Sequence, residues 1–147
     1  MLKHSFFAIA LLFVSLLALI ACSSSEPQPQ EIYPEDMCAC CRMAISQKEF
    51  ASQIISKKGE SWKYDDICCF IGAMKNRSDE IAASFVADYS SKKWIYAKNA
   101  TFLHAPRLNT PMGSGFVAFE KRQDAEKMQE KFPGAIMTLS EVLSQEK

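Results

Sequence analysis

Residues 37–45 read Met-Cys-Ala-Cys-Cys-Arg-Met-Ala-Ile and place three thiols and a thioether within six positions. Cys38 and Cys41 form a Cys-x-x-Cys pair, and Cys41 with Met43 forms a Cys-x-Met pair. On a strand opening at Cys41, side chains at i and i+2 share a face, so the two sulfurs would lie side by side. One anionic and one neutral soft donor suit Cu(I) better than harder metals. The same residues also fit a plainer arrangement, a disulfide with Met43 as core filler.

Other soft donors stand further along. Cys68 and Cys69 fall in the first turns of an expected helix, where the positive end of the dipole lowers a thiol pKa and favours the metal-binding thiolate. Consecutive helical residues diverge by ~100°, so at most one of the two faces the first cluster, and either also fits as buried core wall. Thr110-Pro111-Met112-Gly113-Ser114-Gly115 sets Met112 beside glycines that permit close backbone approach, as in a thioether lid over a soft metal or an ordinary surface loop. His104, followed by Ala105-Pro106, reads more readily as structural than as a ligand. Two rival chemistries use the same thiols. A thiol-disulfide oxidoreductase would use Cys38 and Cys41, although that pair does not open a helix after a strand. A structural zinc site would take Cys38, Cys41, Cys68 and Cys69, but the adjacent helical pair splays apart and strains a tetrahedron.

The chain has 147 residues with 17 basic and 17 acidic side chains, which leaves no electrostatic case for nucleic acid or an anionic membrane surface as partner. Its six cysteines are clustered rather than scattered, unlike those of a disulfide-stapled mini-protein. Lys3 and His4 precede an apolar run from Phe6 to Ile20 that is too short to span a bilayer, which needs about 20 residues. The run ends in Leu19-Ile20-Ala21-Cys22, which resembles the lipobox of bacterial lipoproteins. The expectation is a signal peptide over 1–21, removed on export, with Cys22 lipidated and the protein held on a membrane, facing the periplasm or the cell exterior. Ser23 after Cys22 is compatible with outer-membrane sorting. Residues 22–35, polar and proline-rich, read as a flexible tether, and residues 36–147 as the folded domain.

Elements must then position the thiols. Alternation over 50–56 predicts a strand, a Lys57-Lys58-Gly59-Glu60 turn follows, and Trp62 and Tyr64 return. Asp65 and Asp66 stand at the N-cap of a helix carrying Ile67, Phe70, Ile71 and Met74, and residues 84–89 add a strand. A second unit opens with strand 94–97, turns at 98–100 and continues through 101–103. Strand 116–119, a helix from about 122 to 132, strand 135–139 and a short helix capped by Ser140 complete it. The fold class is α+β, with two similar strand-strand-helix-strand subdomains, about 36–90 and 91–147, and mainly antiparallel sheets.

Cys38-x-x-Cys41-x-Met43, Tyr64-Asp65-Asp66-Ile67 leading to Cys69, and the 110–115 segment ahead of Ala118-Phe119 together resemble the NosL-type accessory lipoproteins of nitrous oxide reductase, over residues of about 36 to 140. The resemblance implies a lipid-anchored Cu(I)-binding protein, not an enzyme, built from two strand-strand-helix-strand subdomains. Its role would be a copper chaperone for an acceptor apoenzyme such as nitrous oxide reductase. Cys41 and Met43 would be the ligand pair, Met112 belongs to the glycine-flanked methionine motif, and Cys69 is the member of its pair that faces the cluster. Cys38, Cys69 or Met112 would supply the third donor. Arg42 stands where the family usually has glycine, and Cys40 and Cys68 are extra thiols.

Overall fold

The computed structural model describes residues 26–145, so the expected leader and Cys22 lie outside the described residues. Strands β1 (Ser52–Ser56) and β2 (Ser61–Tyr64) form a hairpin, followed by helix α1 (Ile67–Asn76), β3 (Ile81–Ala87) and β4 (Trp94–Tyr96). Then come β5 (Thr101–His104), β6 (Phe116–Phe119), α2 (Arg122–Lys131), β7 (Ala135–Met137) and α3 (Leu139–Ser144). The sheets have orders β2-β1-β3-β4 and β6-β5-β7, and every strand pairing is antiparallel. Each unit therefore places its first strand at the centre, pairs it with the next, and returns through a helix to its other side. That is the expected α+β repeat.

One strand changes sides. Trp94–Tyr96, expected to open the second unit, pairs with β3 through Phe85↔Tyr96, Val86↔Ile95 and Ala87↔Trp94. The expected turn at 98–100 is a 3₁₀ segment, Ala97–Asn99, that carries the chain from one sheet to the other. The hairpin partner of β5 is β6 instead. A short apolar run identifies a strand but not the sheet edge that receives it. At the C-terminus, strand pairing ends at Met137, and Thr138 rather than Ser140 caps α3 through a reciprocal bond with Glu141.

The polar-apolar alternation of β1 does not mark a wet face, because neighbours on both sides leave the strand buried along its length. Gln53, fully buried, needs partners for its amide. The segment expected to be a free tether supplies them. The Gln30 N–H donates to Gln53 Oε1 at 2.9 Å, and Gln53 Nε2 donates to the Gln30 carbonyl at 2.9 Å. Lys63 Nζ donates to the Glu31 carbonyl, and Lys48 pairs with the Glu31 carboxylate, each at 2.7 Å. Residues 26–35 are thus a docked strap, and the flexible reading is corrected for them.

A single core joins the two units. Ile54, Val86, Ile67, Phe70, Phe102, Ala118, Met137 and Val142 pack together, so α1 lies between the sheets. On the other face of the second sheet, Leu103, Val117 and Phe119 pack on Ala125 of α2. Each large apolar side chain buried this way contributes about 1.5–3 kcal/mol.

Asp88 ties the units at a second point. Its buried carboxylate accepts from the Glu120 N–H at 2.8 Å and the Ser91 N–H at 2.7 Å. Burial alone would raise its pKa, but these bonds outweigh it and hold the group below its ordinary 3.8. A depressed native pKa stabilises the fold above the unfolded-state pKa, and the benefit is lost as pH falls through the native value. Asp88→Asn is expected to lower unfolding stability by about 1–3 kcal/mol near neutral pH. The deficit should shrink in urea titrations run at about pH 2.5. An equal deficit at both pH values would show that charge is not what Asp88 contributes.

Candidate metal centre

The segment bearing the first thiols is not the strand expected over 41–45. Met37 bridges Ala44 in an isolated antiparallel contact, and residues 39–41 form a turn between them. The Cys38 N–H donates to the Met43 carbonyl at 2.8 Å, and the Arg42 N–H donates to the Cys38 carbonyl at 3.1 Å. The Ala39 N–H donates to the Lys63 carbonyl at 2.8 Å, which fastens the turn against β2. Arg42 closes it in the left-handed region at φ 64°, a conformation that glycine takes freely and other residues adopt at a cost. The turn that a glycine would favour is therefore kept with arginine in its place.

Across from this turn, the junction of β2 and α1 brings Asp65, Asp66 and Cys69. Asp66 is the N-cap of α1, accepting from the Cys68 N–H at 2.9 Å. Asp65, one residue earlier, points its carboxylate at the thiols. Cys38, Cys41, Asp65 and Cys69 each offer a ligand atom, and these four atoms lie within 4.8 Å of one another. Cys38, Asp65 and Cys69 are 0, 2 and 7% exposed, and Cys41 is half-buried. The Cys41 thiol donates to Asp65 Oδ1 at 3.4 Å, while Asp65 Oδ2 is buried with no hydrogen-bond partner among the described residues. An orphaned buried carboxylate oxygen is costly, and a cation held by the three sulfurs would satisfy it.

The Cys41, Cys68 and Cys69 thiols are pushed toward their protonated forms. Burial drives the Cys41 pKa up to about 11; the Met43 backbone opposes this, while Cys38 and Asp65 reinforce it. Burial likewise raises Cys69, with Cys38 and Cys68 beside it adding to the effect. Cys68 rises to about 12 through burial and then the negative charge of Asp66. The helix N-terminus was expected to lower these values, but lost hydration and adjacent acids overcome the dipole. A bound cation would supply the compensating positive charge, and its binding would release the protons of the thiols that hold it.

The expected donors thus divide. The structure unites Cys38, Cys41 and Cys69 and adds Asp65, a residue expected only at the helix cap. Two consecutive aspartates ahead of Ile-Cys-Cys held that signal, since only one can be the N-cap. Met43 and Met112 are 49 and 43% exposed, each on backbone bonded to the site's framework. Met43 is held by its carbonyl on Cys38, and Met112 by its N–H on Asp66 Oδ2 at 2.9 Å. Thr110 Oγ1 and Ser114 Oγ also donate to Asp66, at 2.7 and 2.6 Å, so one carboxylate fixes the whole methionine loop. Gly115 serves backbone packing in that loop: at φ 71°, a Cβ there would sit 2.4 Å from the Ala105 carbonyl oxygen. Cys68 is half-buried outside the cluster, and His104 stacks on Phe116 at 4.2 Å between ring centroids.

The geometry defines a class: an α+β protein of two antiparallel sheets with a thiol-carboxylate cluster suited to a metal ion at a strand-helix junction. Residues 29–146 match the NosL family model. The chain belongs to the NosL family. Its structure is similar to the crystal structure of the copper chaperone NosL from Shewanella denitrificans, with a TM-score of 0.74 at 18% identity. The match covers 80% of this chain and 97% of that one, and the likeness is one of fold. No curated protein matches the sequence.

Proposed function

We propose that this protein is an extracytoplasmic copper chaperone that binds Cu(I) and passes it to an acceptor apoenzyme, nitrous oxide reductase being the acceptor its family points to. The observation that carries this reading is the buried meeting of three thiols within 4.8 Å of each other. Soft thiolates select a soft ion, and a carrier needs few enough ligands that a partner's donors can join before its own depart. Cys38, Cys41 and Cys69 hold the ion in this reading, with the Met43 and Met112 thioethers near the surface as donors during exchange. The relative of similar fold is itself described as a copper chaperone. A dithiol oxidoreductase is disfavoured, because Cys38 and Cys41 flank and close a turn rather than open a helix, and burial raises the Cys41 thiol to about 11, whereas such enzymes lower it.

An anaerobic Cu(I) titration of the reduced protein against a competing chelator tests the reading, beside Cys41→Ser and Met43→Leu. One copper per chain, weakened strongly by Cys41→Ser, is expected. Met43→Leu keeps the volume and removes the donor, so slower copper transfer to the chelator at unchanged affinity is expected; unchanged transfer would remove Met43 from the exchange path, and lost affinity would make it a resident ligand. Asp65 is the one observation favouring zinc, which accepts a carboxylate beside thiolates, and a parallel zinc titration measures that preference. The proposal also includes removal of residues 1–21 and a diacylglycerol on Cys22. Labelled palmitate should enter the wild-type protein and not Cys22→Ser; equal labelling of both would exclude that anchor.

A further inference from the structure

Cys69 belongs to the buried cluster and also lines a cleft of about 390 Å³, together with Cys40, Arg42, Trp62, Asn76 and Arg77. This cleft is chemically one-sided. Two arginines line it and, among the described residues, no acidic residue does, in a chain whose acids and bases are equal in number. Arg77 is held 4.5 Å above the Trp62 ring, and among the described residues neither arginine forms an ion pair. Cys40, the exposed thiol of the turn, lines the same cleft as Cys69, so one cleft joins a surface thiol and a member of the cluster.

We propose that this cleft is the loading port for copper and that it receives Cu(I) as a complex with a small, carboxylate-bearing thiol. The proposal rests on the copper reading above. A soft ion among thiols travels as a thiolate complex, and carboxylates add negative charge and bidentate acceptors to that complex. Guanidinium groups bind carboxylates through paired hydrogen bonds, and the volume is at the small-ligand end of the ~300–1,000 Å³ typical of binding pockets. Transfer is ligand exchange without redox change. A Cys40 sulfur-copper bond forms, one donor sulfur-copper bond breaks, and the Cys40 thiol proton leaves on the departing thiol. A second exchange at Cys69 sends its proton out on the remaining donor thiol, and a third at Cys41 breaks the Cys40 sulfur-copper bond and returns the Cys41 proton to Cys40, leaving the ion in the cluster.

The test is anaerobic stopped-flow loading of the reduced full-length protein. Cu(I) is supplied as its glutathione complex, which carries carboxylates, and separately as its β-mercaptoethanol complex, which carries none. Arg77→Gln and Arg42→Gly should each slow loading from glutathione by about tenfold, within the range of electrostatic steering, and slow the carboxylate-free donor far less, with the final occupancy unchanged. Arg42→Gly keeps the turn, since glycine accepts φ 64° without strain. Cys40→Ser should slow loading from both donors with no change in final occupancy. Arginine variants that slow both donors equally, or neither, would overturn carboxylate recognition. Lower final occupancy in Cys40→Ser would make Cys40 a resident ligand and overturn the port. Failure of the wild-type protein to take copper from either donor would instead overturn the copper reading beneath it.

Discussion

Asp66→Ala is expected to lower the unfolding free energy by about 3–5 kcal/mol, placing it among the most damaging single changes to a domain of this size. The fully buried carboxylate accepts from the Cys68 and Met112 N–H groups and from the Thr110 and Ser114 hydroxyls, at 2.6 to 2.9 Å. Hydrogen bonds to a charged group are worth about 1.5–3 kcal/mol each, though not additively, and loss of an N-cap costs about 1 kcal/mol. Burial opposes the charge, but hydrogen bonds from Ser114, Cys68, Met112 and Thr110 hold the Asp66 pKa below its ordinary value. Urea unfolding measures the loss. Hydrogen exchange should quicken at residues 110–115 before it does in α2, because the loop has lost its anchor while that helix has not. A cost below about 1 kcal/mol would show that the loop is fixed elsewhere.

Cys38→Ser and Cys69→Ser are each expected to weaken Cu(I) binding by more than 100-fold. Changes one shell beyond a metal's ligands already cost about 10–100-fold, and a thiolate replaced by an alcohol removes a ligand outright. Both substitutions nearly conserve volume, so unfolding stability reports separately on packing. Cys68→Ser is the matched control, because Cys68 neighbours Cys69 in sequence but lies outside the cluster. Affinity lost equally in Cys68→Ser and Cys69→Ser would mean that the helix start, not the Cys69 thiolate, is what binding requires. The same chelator competition serves all three variants.

The sequence disclosed chemistry more readily than connection. The thiol spacing at 38–41 points to Cys38 and Cys41, and helix geometry to one of Cys68 and Cys69, with the choice of Cys69 resting on the family resemblance. Asp65 escaped because its conspicuous local role, capping, belongs to its neighbour Asp66. Strand identity was legible at Trp94–Tyr96, but its sheet was not, since periodicity describes one strand's faces and not its partners. Polar residues in β1 misled for a related reason. Gln53 looks like a surface residue until Gln30, 23 positions earlier, lies down beside it.

That strap determines how far the protein can roam. With the anchor proposed at Cys22, the four residues to Glu26 span at most roughly 14 Å when fully stretched. The domain is then moored against its bilayer rather than swung on a long leash. Its encounters become a search within the plane of the membrane, and an acceptor has to come close to that surface to be served.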